Sequence, residues 1–152
     1  MKKEKPKLSS FLCFALYSTH HAMNRVYKPL LAEFGLTYTQ FLVLVSLWEK
    51  DNQLVSDIGS TLFLESSTLS PLIKRLETMG YIERKRDIED ERKVRVKLSK
   101  SGKKLQTSTG CIADGISQAA GMKPKAVEEL TKNILSLRDN LISHTESNSK
   151  AS

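Results

Sequence analysis

Cys13 sits in the middle of an apolar run, Phe11-Leu12-Cys13-Phe14-Ala15-Leu16-Tyr17. A deprotonated thiol is a strong nucleophile, and Tyr17, four residues on, shares its helix face. Tyr27 and Tyr38 fall in the segments that flank this run. Phenolic O–H donors beside sulfur stabilise a thiolate and then a sulfenate. An apolar pocket with a few hydroxyls favours an organic peroxide over a charged oxidant. Against this stands the common role of a buried cysteine as a small hydrophobe. Cys111, the second thiol, lies far away in sequence, and no CxxC pair or Cys/His cluster has metal-ligand spacing. His20 and His21 are adjacent, so they point to different faces of a helix and chelate poorly; with His144 they read as solvated. No metal, cofactor or catalytic centre is expected.

A second kind of chemistry is carried by charge. The chain has a net charge of +7. Residues 74–104 hold twelve Lys/Arg against six Asp/Glu, which is +6, whereas residues 38–73 carry −3. A basic segment of this kind is the electrostatic footprint of phosphate binding. No apolar stretch reaches the ~20 residues that a membrane span needs, and no signal-peptide pattern is read, so the expected compartment is the cytoplasm. There, glutathione keeps both thiols reduced at rest.

The elements that position these groups follow from periodicity. Residues 1–8 read as a disordered basic arm. Ser9 or Ser10 caps a first helix, apolar on every face in its first two turns, which must therefore be buried against a core or another subunit. Lys28-Pro29 bends or breaks it near Tyr27, and a short helix then runs to Gly35. Thr37-Tyr38-Thr39-Gln40 has capping-box spacing and opens a helix ending near Lys50. After a turn at Asp51-Asn52-Gln53 comes a short helix over 55–62. Phe63-Leu64-Glu65 makes the next turn, and Ser66 caps a helix with apolar positions at Leu69, Leu72, Ile73, Leu76 and Met79. The period then changes to two. Residues 81–86 and 93–98 read as strands, the second with Lys93, Arg95 and Lys97 along its solvent face. Asp87 to Arg92 is the turn between them. Ser99 caps a long helix toward Gly121, weakened by Gly110 and Gly115, and Pro124 opens a last helix striped by Val127, Leu130, Ile134, Leu137 and Leu141.

The predicted fold is thus mainly α with a small β-hairpin wing. Residues 37–99 form a winged helix-turn-helix; 9–36 and 100–145 are dimerisation helices; 146–152 is a frayed tail. In a winged helix-turn-helix the second helix lies in the major groove. Ser66, Ser67, Ser70 and Lys74 would line its exposed face, with Thr68 and Arg75 at the flanks. The hairpin would bring Arg84, Lys85, Arg86 and Arg92 beside the duplex, where an arginine at a wing tip enters a narrow minor groove. For each hydroxyl, capping or solvation competes with a DNA contact, and for Ser66 both readings stay open.

The stretch Leu72-Ile73-Lys74-Arg75-Leu76-Glu77-Thr78-Met79-Gly80-Tyr81-Ile82-Glu83-Arg84, with Asp87, Asp90, Arg92 and Leu98-Ser99-Lys100-Ser101-Gly102, resembles the MarR family of winged-helix regulators. The resemblance spans about residues 9–144. It implies a homodimer with interlocked first and last helices, and a wing braced by Asp87 and Asp90 whose Arg92 reaches into the minor groove. Leu12 to Tyr17, Tyr27-Lys28-Pro29-Leu30-Leu31 and Leu36-Thr37-Tyr38-Thr39-Gln40 are similar to the OhrR-type organic hydroperoxide sensors within that family. That similarity implies that Cys13 is the peroxide-reactive cysteine, that Tyr17, Tyr27 and Tyr38 gather around its sulfur partly across the dimer, and that oxidation releases operator DNA. Cys111 lies in the helix where two-cysteine members keep a resolving thiol, but earlier than theirs. It is a resolving thiol or a passive one; without it the sulfenate pairs with a small thiol. The expected function is a dimeric repressor of double-stranded operator DNA, with organic hydroperoxide as its signal. The alternatives are a repressor released by a small phenolic ligand in the same pocket, with Cys13 passive, and a thiol peroxidase that turns over.

Overall fold

The computed structural model describes residues 6–149, so part of the expected arm and tail, residues 1–5 and 150–152, lies outside the described residues. The chain divides into two compact units, Met1–Ala113 and Asp114–Ser152.

In the first unit a 3-10 turn, Leu8–Ser10, precedes α1, Leu12–Ala32. The expected serine cap is not made. Ser10 Oγ instead donates to the Lys7 carbonyl at 2.7 Å, and Phe11 occupies the N-cap position. Nor does Pro29 break the helix. It lies in the last turns of α1, where one lost hydrogen bond is offset by packing: Leu31 is fully buried. Gly35, at φ 65°, then reverses the chain, and Leu36 N–H bonds back to Leu31 O at 3.2 Å.

The helix-turn-helix follows. Thr37 and Gln40 cap α2 (Tyr38–Glu49) reciprocally, Thr37 Oγ1 accepting from Gln40 N at 3.3 Å and Gln40 Oε1 from Thr37 N at 2.9 Å. β1 (Gln53–Leu54) leads directly into α3 (Val55–Leu62), and α4 spans Ser66–Thr78. Val43, Leu44 and Leu47 of α2, Ile58 of α3, and Leu69, Ile73 and Leu76 of α4 are essentially inaccessible to solvent and form the core. Burying such a side chain contributes about 1.5–3 kcal/mol. The N-cap of α4 is Glu65, one residue before the expected Ser66, with no side-chain bond.

The wing is β2 (Ile82–Arg86) and β3 (Val94–Leu98), antiparallel, with Ile82 opposite Leu98 and Arg86 opposite Val94. β1 joins the far edge of β3, placing Gln53 opposite Val96 and giving the order β1-β3-β2. Where a turn was expected at 51–53, Gln53 is buried and donates to Ser46 O at 2.8 Å and Lys50 O at 2.6 Å. A two-residue strand is too short for alternation to reveal it.

Ser99 caps α5 (Lys100–Ser108), accepting from Gly102 N at 3.0 Å. The expected single long helix is interrupted at Thr109, and α6 runs over Gly110–Ala120. Gly110 weakens the helix where it breaks. Gly102 holds α5 against the hairpin: a Cβ there would lie 2.0 Å from the Tyr81 carbonyl oxygen, while its own carbonyl accepts from Trp48 Nε1 at 3.0 Å. Gly102→Ala is therefore expected to lower stability by ~1–3 kcal/mol, the usual cost of forcing atoms into a packed site. Thermal unfolding measures this, and a melting temperature equal to the parent's would contradict the close approach.

In the second unit α7, Pro124–Ser149, opens at the expected proline and continues through 149, into the segment expected as a tail. Its apolar stripe is largely open to solvent, with Leu130, Ile134 and Leu141 all exposed.

Candidate functional site

Two sets of residues carry the chemistry. The first is the face made by α4 and the wing. Ser66, Ser67, Thr68, Ser70, Lys74 and Arg75 are all exposed on α4, as are Arg84, Lys85, Arg86 and Arg92 on the hairpin. Ser70 Oγ is engaged with its own helix, donating to Ser66 O at 2.8 Å. A trough of about 290 Å³ separates the helix from the wing, lined among others by Ser56, Ser66, Ser70, Arg84, Arg92 and Lys93. Hydroxyls and cations therefore converge on one concave surface, which suits phosphate oxygens and base edges.

The wing turn is built around Asp87. This carboxylate is buried; one oxygen accepts from Glu89 N at 2.9 Å and Asp90 N at 3.1 Å, and the other pairs with the Arg95 guanidinium. The Arg95 hydrogen bond, joined by those two amides, holds the Asp87 carboxyl below the usual range despite burial, which raises it. Arg95 also donates to Asn52 O at 3.1 Å. It was expected in a solvated basic row, but the Asn52 carbonyl just before the neighbouring strand β1 and the Asp87 carboxylate draw it down onto the sheet. Asp90 in turn accepts from the Arg92 amide at 3.1 Å and from its Nε at 3.2 Å. The Arg92 side chain remains 92% exposed. The Asp-x-x-Asp-x-Arg spacing thus folds the turn and leaves one arginine extended.

Two further carboxylates were missed by sequence reasoning. Glu77 pairs with Arg84 at 2.6 Å, tying α4 to β2, and the arginine holds the Glu77 carboxyl down. Burial pushes Asp51 up, but the Leu98 and Asn52 amides and Lys103 outweigh it, so the group ends below its ordinary value. Partners seven residues away for Glu77, and forty-seven residues away at the Leu98 amide for Asp51, give no local signal for either.

The second set surrounds the thiol. In the single chain both Cys13 and Cys111 are exposed free thiols, so the cover expected over Cys13 is not supplied by this chain's own core. The reason is that α1 is covered only near its C-terminal end; Leu12, Leu16, Tyr17 and Met23 are all exposed in the single chain. Tyr17 is one turn from Cys13 and packs its ring on His21, 4.4 Å between centroids. Tyr27 and Tyr38 pack on one another at 4.6 Å. Burial raises the Tyr27 phenol, with the neighbouring Tyr38 adding to it, and burial raises Tyr38. Both stay protonated donors at neutral pH. Tyr27 lies fourteen residues beyond Cys13 on the same helix, about 21 Å of rise. One chain therefore gathers Cys13 with Tyr17, and Tyr27 with Tyr38, but not the two pairs together.

Beside the tyrosine pair is a cavity of about 710 Å³ lined by His20, Asn24, Lys28, Thr37 and Tyr38 among others. His20 Nε2 is 3.0 Å from Asn24 Nδ2, and His20 itself is exposed, as expected of a solvated helix histidine. The i, i+4 spacing of His20 and Asn24 was the available signal for their contact. Cys111 Sγ lies 3.6 Å from Ser108 O in its own helical region.

Comparison with known proteins adds the following. The family described as Transcriptional regulator SarA/Rot matches residues 25–108. The HTH-type transcriptional regulator TtmR of Methylorubrum extorquens is 45% identical over 134 residues, 88% of this chain and 69% of that protein. The organic hydroperoxide resistance transcriptional regulator of Bacillus subtilis is 39% identical over 132 residues, 85% of this chain and 90% of that one. Among solved structures, reduced AbfR bound to DNA, a protein of Staphylococcus epidermidis, superposes with a TM-score of 0.76 at 33% identity, covering 95% of this chain and 98% of that chain.

Proposed function

Because this chain belongs to the SarA/Rot family of transcriptional regulators, winged-helix proteins of MarR type and not enzymes, we propose that it is a homodimeric repressor that holds operator DNA while Cys13 is reduced and releases it when an organic hydroperoxide oxidises Cys13. The observation that carries this reading is the exposed apolar start of α1, where Cys13 stands beside Tyr17. Apolar side chains clustered on one exposed helix need a partner surface. A second copy covers them and can bring its own Tyr27–Tyr38 pair toward the thiol. The exposed stripe of α7 gives the dimer a further apolar surface. The hydroperoxide signal is suggested by the Bacillus relative, and redox control of DNA binding by the reduced AbfR complex.

On DNA, α4 lies in the major groove with Ser66, Ser67, Thr68, Ser70, Lys74 and Arg75 facing the duplex. Arg84, Lys85 and Arg86 follow the backbone, and Arg92, held by Asp90 in a turn braced by Asp87, reaches into the minor groove. In the oxidation, the Cys13 thiolate attacks the outer peroxide oxygen and the O–O bond breaks. An alcohol leaves, and sulfur loses two electrons to become a sulfenate. A second thiol, Cys111 or a small cellular thiol, then displaces water from the sulfenic acid to give a disulfide.

The test uses duplexes selected from a random-sequence pool by the reduced protein. Binding is measured by fluorescence anisotropy before and after cumene hydroperoxide, and the oxidised protein is weighed by mass spectrometry. Release that tracks Cys13 oxidation is expected; oxidised Cys13 with undiminished binding would refute the redox switch. The mass distinguishes a Cys13–Cys111 crosslink from a mixed disulfide.

The phenols supply a further prediction. A hydrogen bond to a charged group contributes about 1.5–3 kcal/mol, so Tyr17→Phe or Tyr27→Phe should slow Cys13 oxidation roughly tenfold while leaving the fold intact. Stopped-flow oxidation reads this out. Rates equal to the parent's in both variants would reduce the tyrosines to space-filling.

The cavity beside Tyr38 supports a second reading, in which a small phenolic ligand bound among His20, Lys28 and Tyr38 triggers release and Cys13 is passive. The two readings part at a Cys13→Ser protein, which a phenolic effector would still release.

A further inference from the structure

Residues 63–78, the turn before α4 and α4 itself, carry four charged side chains: Glu65, Lys74, Arg75 and Glu77. Glu77 is taken up by Arg84 at 2.6 Å. Glu65 is not taken up by any cation among the described residues. It is exposed at the N-cap of α4. Its backbone carbonyl accepts from the Thr68 and Leu69 amides at 3.0 and 2.9 Å, but its carboxylate caps no amide of the helix. Serine, aspartate and asparagine are the usual residues at this position, because a short side chain reaches the first amides. Capping therefore does not account for a glutamate here. The helix dipole favours a carboxylate at this end, an effect that salt screens at an exposed site.

Its position supplies a reason. Ser66, the next residue, lines the trough that carries Arg84, Arg92 and Lys93. Glu65 and Ser66 also line a hollow with Ser56 and Ser60. Glu65 thus stands at the N-terminal end of the helix read as entering the major groove, the end whose side chains reach base edges. Phosphates repel a carboxylate there. What the groove can offer it is a hydrogen-bond donor without an acceptor alongside. Guanine shows O6 and N7, and thymine O4, all acceptors. Adenine sets its N6 donor beside the N7 acceptor. Cytosine shows its N4 amino group as a donor only.

We propose that Glu65 is a specificity-determining residue whose carboxylate accepts a hydrogen bond from the N4 amino group of a cytosine in the major groove, so that the operator carries a C·G pair at that position. The proposal rests on the DNA-binding reading above. The contact selects sequence and adds nothing to affinity for DNA in general. Repulsion from the backbone discourages binding elsewhere, and the amino group offsets it at the right base pair.

The experiment uses the full-length reduced protein, its Glu65→Gln and Glu65→Ala variants, and duplexes selected from a random pool by each. The parent's sites should share a cytosine whose replacement by any other base pair weakens binding about tenfold, within the usual cost of one mismatched pair. Glutamine matches adenine N6 and N7, so Glu65→Gln should move the preference at that position to A·T. Glu65→Ala should discriminate there by less than about twofold, keep the parent's preferences at the other positions, and bind duplexes lacking the cytosine more tightly than the parent does. Parent sites with no required cytosine, or variants that still demand the same one, would overturn the proposal. So would a uniform gain of affinity on every duplex, which would leave only repulsion. A lower melting temperature with all positions weakened together would also overturn it, by making Glu65 a support of the helix end. A parent protein that selects no duplex would instead remove the DNA-binding reading itself, and this contact with it.

Discussion

Cys13→Ser should abolish peroxide-triggered release of DNA while leaving the reduced-state affinity within about twofold, the range of an ordinary surface substitution. The side chain is exposed on α1 and belongs to neither α4 nor the wing, and serine is nearly isosteric with it. What serine lacks is a sulfur able to give up two electrons to a peroxide oxygen, so no sulfenate and no disulfide follow. Cys111→Ser separates the later step from the first. It should retain oxidation at Cys13 and change the product from any internal crosslink to a mixed disulfide. Anisotropy titration of the serine variant with cumene hydroperoxide is the deciding measurement. Dissociation at parental peroxide doses would show that the signal enters elsewhere.

The thiol site also marks where sequence reasoning reached its limit. Cys13, Tyr17, Tyr27 and Tyr38 could be picked out by residue type and spacing, and Tyr27 does meet Tyr38. What covers Cys13 was not legible, because an apolar helix says only that a core or another subunit must cover it, and the single chain leaves it exposed. The helix-turn-helix was more legible, since capping at Thr37 and Gln40 and the apolar period of α4 are local signals. Pro29 misled because propensity is a weak prior where Leu31 is fully buried two residues on. Long-range partners left no trace in local pattern: Arg95 folds onto Asp87 and Asn52, and Gly102 meets the Tyr81 carbonyl. Gly102 could be read only as a letter in a motif; its reason is steric. Phe63 had an equally silent sequence, since its positive φ of 55° at the end of α3 shows only in the backbone.

The other large effect is expected at Asp87, a residue that need not touch DNA. Asp87→Ala removes the acceptor for the Glu89 and Asp90 amides and the partner of Arg95 in one step. The turn that fixes Asp90 then loosens, and with it the extended position of Arg92. Arg92→Ala alone should weaken duplex binding by about 1–3 kcal/mol if the side chain makes a specific contact of usual strength. Asp87→Ala should cost at least as much. Removing Arg92 in the Asp87→Ala background should then cost little more, because both changes spend the same contact. Asp87→Asn keeps one carbonyl acceptor and should fall between. The pH dependence has a definite sign. The Asp87 carboxyl is held below its ordinary value, so its contribution is complete above the usual carboxylate range, ~4, and is lost only as pH falls through the lowered value. Between neutral pH and pH 5 the wing should not weaken through this group. Amide hydrogen exchange at Glu89 and Asp90 gives an independent readout: protection should collapse in Asp87→Ala while the core amides of Val43, Leu44 and Leu47 stay protected. Additive losses in the double variant, or unchanged exchange in the turn, would mean that Arg92 is positioned without Asp87.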